Sequence, residues 1–68
     1  MMDKFKTYGE DVFIHDRVII KHPSHCDIGS HNAIDNGVTI STAMEMGDYI
    51  HIAQDVTVIG GADSKLIL

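Results

Sequence analysis

The chain of 68 residues has one cysteine, one proline, no tryptophan and few cations. A single thiol, Cys26, excludes an internal disulfide framework. Five Lys and Arg stand against ten Asp and Glu, a formal charge of -5, and no basic cluster exists to grip a phosphate backbone. Nucleic acid is therefore not an expected partner. No apolar run approaches the roughly 18 residues that a membrane-spanning helix needs. The opening "MMDKFKTYGE" lacks the apolar stretch of a signal peptide, and with one free thiol the expected location is cytoplasmic. One domain is the upper limit of size. A domain this small buries only about 60% of the surface its unfolded chain exposes. Stability must come from regular stacking, from partner subunits, or from further residues.

What the chain does have is a repeat. It divides into YGEDVF, IHDRVI, IKHPSHCD, IGSHNA, IDNGVT, ISTAME, MGDYIH, IAQDVT, VIGGADSK and LIL. The unit heads are Tyr8, Ile14, Ile20, Ile28, Ile34, Ile40, Met46, Ile52, Val58 and Leu66, all apolar. The second column holds Gly9, Gly29, Asp35, Gly47 and Ala53, and the fifth holds Val12, Val18, Ser24, Val38, Val56 and Ala62. An even period puts heads and fifth positions on one face of a strand and does not fit a helix. Small or turn-prone residues after each head suit a chain that bends every six residues. Three bends make a triangular coil, with the heads of successive coils piling into an inner aliphatic column. "DNG", Asp35 to Gly37, is also a hairpin signal. The repeat instead puts it at a corner, where positive φ is welcome, and stacks Ile34 in parallel on Ile14 and Ile52.

These units resemble the hexapeptide repeat, and the resemblance implies an all-β fold, a left-handed parallel β-helix of about three coils. It covers Tyr8 to Val58. It departs at Asn32, Met44 and Ile50 in the fifth column and at His15, Lys21, Ser41 and Ile59 in the second. The family is that of the hexapeptide acyltransferases. Its members move an acyl group from acetyl-CoA or a similar thioester to a hydroxyl or amine, in a cleft between subunits of a homotrimer. The string "GDYIHIAQDVTVIGG" is similar to motifs of its sugar O-acetyltransferases and nucleotide-sugar N-acetyltransferases. The resemblance implies His51 as catalytic base or acyl-donor contact, Asp48 and Tyr49 as orienting groups, and Gly60 and Gly61 as the close backbone approach to acetyl-CoA. A sugar or glycan-precursor hydroxyl is the implied acceptor, and no tightly bound cofactor is expected. In the N-acetyltransferase branch the base falls near Thr42, where this chain has no histidine. His51 also has a plainer reading, as an outward strand residue beside a corner.

The other histidines are weaker candidates. His15 and Asp16 are neighbours that an extended strand would point to opposite faces. His22, His25 and Cys26 sit in an eight-residue unit around Pro23, a turn residue. His-x-x-His-Cys could suggest zinc, but a structural site takes four ligands and no second pair is visible, so no metal is expected. His31 is expected on the surface. The His-x4-His spacing of the metal-dependent carbonic anhydrases of this fold is absent.

Residues 1–7 are expected to cap the coils, 8–65 to form them, and 66–68 to begin another. The aliphatic "LIL" lacks the polar character of a terminal repeat, which suggests an N-terminal fragment of a longer acyltransferase. The rival expectation is a non-catalytic β-helix fragment or assembly element.

Overall fold

The computed structural model describes residues 4–61 and 63–68. Strands are short because the chain turns every few residues: β1 (Thr7–Tyr8), β2 (Phe13–Ile14), β3 (Ile19–Ile20), β4 (Cys26–Ile28), β5 (Ala33–Ile34), β6 (Thr39–Ser41), β7 (Ala43–Met46), β8 (His51–Ile52), β9 (Thr57–Ile59) and β10 (Lys65–Ile67). They sort into three parallel sheets: a first face of β1-β4-β7-β10, a second of β2-β5-β8 and a third of β3-β6-β9. The chain is thus a left-handed parallel β-helix of about three turns, as the resemblance to the hexapeptide repeat implies. Among the described residues no helix is long and apolar enough to cross a membrane.

The register shows why the repeat has these residues. Ile14, Ile34 and Ile52 stack on the second face, and Ile20, Ile40 and Val58 on the third. Ile34 and Ile40 are fully buried, with Val38 and Met44 beside them. The DNG segment is a corner: Gly37 has φ of 79°, and Ile34 pairs in parallel on both sides. The small second column has a steric cause. A methyl on Gly29 would collide with the carbonyl of Gly47 in the next coil.

The corner between the first and second faces is also built column by column. Asp11, His31 and Tyr49 succeed one another there, each with positive φ, of 54°, 59° and 57°. Ser30 N–H donates to Asp48 Oδ1 at 2.7 Å, and Glu10 N–H donates to Ser30 Oγ at 3.0 Å. Asn32, which departs from the repeat, is 2% exposed. Its Nδ2 donates to Gly47 O and its Oδ1 accepts from Ile50 N–H, both at 2.7 Å. One amide thereby ties the second coil to the third.

The corner between the third and first faces carries the insertions, and there the structure corrects the expected units. Ser24 does not fill an inward fifth position. It is exposed in the 3-10 turn Pro23–His25, and Cys26 occupies the inward slot, opposite Met44. Leu66 is not opposite Met46: β10 pairs Leu66 with Met44, and Leu68 N–H reaches Glu45 O. Ala62, expected in the fifth column, and residues 1–3 of the expected cap lie outside the described residues. Within that cap Phe5 is buried in the core, while Thr7 already belongs to β1.

Candidate functional site

His51 opens β8 and faces outward from the second face; the corner lies before it, at Asp48–Tyr49. Alternation explains the direction, since Ile50 and Ile52 on either side turn toward the core. The imidazole is 63% exposed, and its Nε2 lies 3.4 Å from Asp35 Oδ2. Asp35 follows the buried Ile34, one coil earlier. The hydrogen bond from Asn36 N–H holds the Asp35 carboxyl below the ordinary aspartate range, and His51 and then His15 add to this. The carboxylate is therefore an acceptor that can fix the His51 ring while its other nitrogen stays free.

The residues expected to orient His51 are engaged elsewhere. Asp48 accepts from Ser30 N–H. Tyr49, 79% exposed, stacks on His31 with ring centroids 4.8 Å apart and planes 19° from parallel. His31 Nδ1 in turn meets Asp11 Oδ2 at 3.1 Å. Asp35 is the residue that sequence reasoning missed. The signal was its place in the repeat, the residue after a head, which the stacking of successive coils brings near His51. His15 also differs from expectation: its Nδ1 lies 2.9 Å from Asp16 Oδ1, because β2 ends at Ile14 and strand alternation no longer applies.

Gly60 and Gly61 stand at the corner between the third and first faces, apart from His51 on the second. A methyl on Gly60 would collide with the Ser64 and Thr42 hydroxyls, so this glycine serves close packing. Thr42 Oγ1 donates to Ser64 O at 3.1 Å and fixes the loop. A methyl on Gly61 would meet nothing within 4 Å, and this glycine borders a groove of about 270 Å³. His22 and His25 line the same groove. Cys26 does not: it is fully buried, its thiol donates to His22 O at 3.4 Å, and burial pushes the thiol pKa up. Among the described residues no group of three or more His, Cys, Asp and Glu could hold a metal ion.

No protein-family model, curated protein or solved structure matches this chain.

Proposed function

We propose that the chain carries part of an acyltransferase of the O-acetyl type, moving an acetyl group from acetyl-CoA to a hydroxyl of a sugar or glycan precursor. The observation that supports this reading is the His51–Asp35 pair on an outward face of the β-helix. Asp35 holds the ring, and His51 accepts the proton of the acceptor hydroxyl. The hydroxyl oxygen forms the new bond to the acetyl carbon, the carbon–sulfur bond breaks, and the CoA thiolate leaves to be protonated. A spacing of 3.4 Å is long for such a hydrogen bond, and catalytic pairs of this kind tighten when substrate binds.

On this reading a single chain does not complete the site. His51 is on the second face and Gly60–Gly61 is at a different corner, so the acetyl-CoA contact would come from a neighbour in a homotrimer. A cytoplasmic location goes with the use of acetyl-CoA. The rival is a non-catalytic scaffold or assembly element, favoured by the engagement of Asp48 and Tyr49 with the preceding coil. Calorimetry with CoA separates the two: saturable heat supports the transferase, and none at millimolar CoA supports the scaffold.

A further inference from the structure

Five histidines are present, and three of them face a carboxylate: His15 with Asp16, His31 with Asp11 and His51 with Asp35. Among the described residues, the imidazoles of His22 and His25 have no hydrogen-bond or ion-pair partner. These two line the groove beside Gly61.

The groove follows from the two insertions. Corresponding residues are 20 positions apart between the first and second coils, 18 between the second and third, and 22 between β7 and β10. The longer steps push Lys21–His25 outward at one corner, and Gly60–Gly61 and Asp63–Ser64 at the same corner of a later coil. Between them the second coil passes without an insertion, through Ser41, Thr42 and Ala43, and forms the floor. The floor hydroxyls are in use, Ser41 Oγ on Val58 O at 3.3 Å and Thr42 Oγ1 on Ser64 O. The donors left without a partner among the described residues are on the wall: two imidazoles with ring centroids 6.1 Å apart and planes tilted by 54°.

The groove continues onto the first face. His25 and Ala43 also line an adjoining depression with Lys6, Lys65 and Asp27. Lys65 Nζ lies 3.2 Å from Glu45 Oε1. Two of the five Lys and Arg of an acidic chain thus border this one surface, next to two imidazoles that have no partner among the described residues. Nitrogen donors of this kind, converging in a concave site, suit the oxygens of an anion.

We propose that this groove binds a small phosphorylated molecule, its phosphoryl oxygens held between His22 and His25 and its remainder running toward Lys6 and Lys65. The groove shares Gly60 and Gly61 with the proposed acetyl-CoA contact but not His51 or Asp35, and its test reads phosphate binding without acyl transfer, so a negative acyl-transfer result leaves it standing.

The test is NMR of the 68-residue chain at about pH 6, near the ordinary histidine pKa, following the imidazole signals of all five histidines while inorganic phosphate is added. The expected result is a saturable shift of His22 and His25 with little change at His15, His31 and His51. Gly61→Leu fills the groove without entering the core and should weaken binding at least about tenfold. Far-UV circular dichroism checks that this variant is folded. If it is not, the surface double variant His22→Gln/His25→Gln gives the same test and the same expected loss. The proposal is overturned by equal shifts at all five histidines, by no saturation, or by unchanged affinity in a folded variant. It is also overturned if zinc, but not phosphate, moves His22 and His25, which would make the pair a metal site.

Discussion

His51 Nε2 stands 3.4 Å from Asp35 Oδ2, and the two residues belong to successive coils of one face. Sixteen positions separate them in sequence. Coil stacking, not local sequence, makes them neighbours. The pair therefore tests the fold as well as the chemistry assigned to it.

Asp35 gives a pH dependence of known sign. Its folded-state pKa is depressed by Asn36 N–H first and by His51 second. Such a carboxylate stabilises the fold above the ordinary aspartate range, near about pH 3.9, and loses that contribution as pH falls through the lower folded value. Asp35→Asn should be less stable than the parent at about pH 6, with the gap closing toward about pH 2. Urea midpoints across that range measure it. A gap that stays constant would remove Asp35 ionisation from the explanation.

Asn32→Val matches the hexapeptide pattern better than the native residue does, yet it should destabilise. The change strips partners from Gly47 O and Ile50 N–H inside the coil stack. Leaving such buried groups unsatisfied costs about 1–3 kcal/mol. Thermal and urea unfolding check it, and a variant as stable as the parent would show that the amide bracket contributes nothing.

Two glycines should respond in opposite ways to the same methyl group. Gly29→Ala drives its side chain into the Gly47 backbone and should unfold the chain or lower its melting temperature strongly. Gly61→Ala meets open space and should leave stability within the roughly 0.5 kcal/mol range of ordinary surface changes. Paired melting curves decide it.

Cys26 should report coil opening. Its thiol is fully buried, and burial raises its pKa, so both access and thiolate formation are suppressed in the folded chain. Labelling by a disulfide-exchange reagent should be slow in buffer and fast in denaturing urea. Rapid labelling in buffer would mean that β4 is not seated against β7.

Much of the fold is legible in the sequence because an even, six-residue period fixes which residues turn inward. The column of Ile14, Ile34 and Ile52 needs no further information. The insertions are different. A bulge leaves the coil and rejoins it at a point that the hexad pattern does not mark, so Cys26 takes the slot expected for Ser24. In "LIL" alternate aliphatic residues fit inward equally well, and the 22-residue step selects Leu66 against Met44. The site is less legible than the fold. His51 is visible from its motif, whereas Asp35 becomes its partner only once the coil length is known. Asp48 and Tyr49, adjacent in sequence, turn to the preceding coil because that corner stacks residue on residue.

The most direct measurement of the central functional claim is CoA release from acetyl-CoA in the presence of a panel of sugar acceptors, comparing the parent chain with His51→Ala. Loss of a general base lowers turnover by about 100-fold or more. The account predicts acceptor-dependent release by the parent and a loss of that size in His51→Ala, with both chains giving the same far-UV circular dichroism. No acceptor-dependent release by the folded parent, or equal release by both chains, would contradict it.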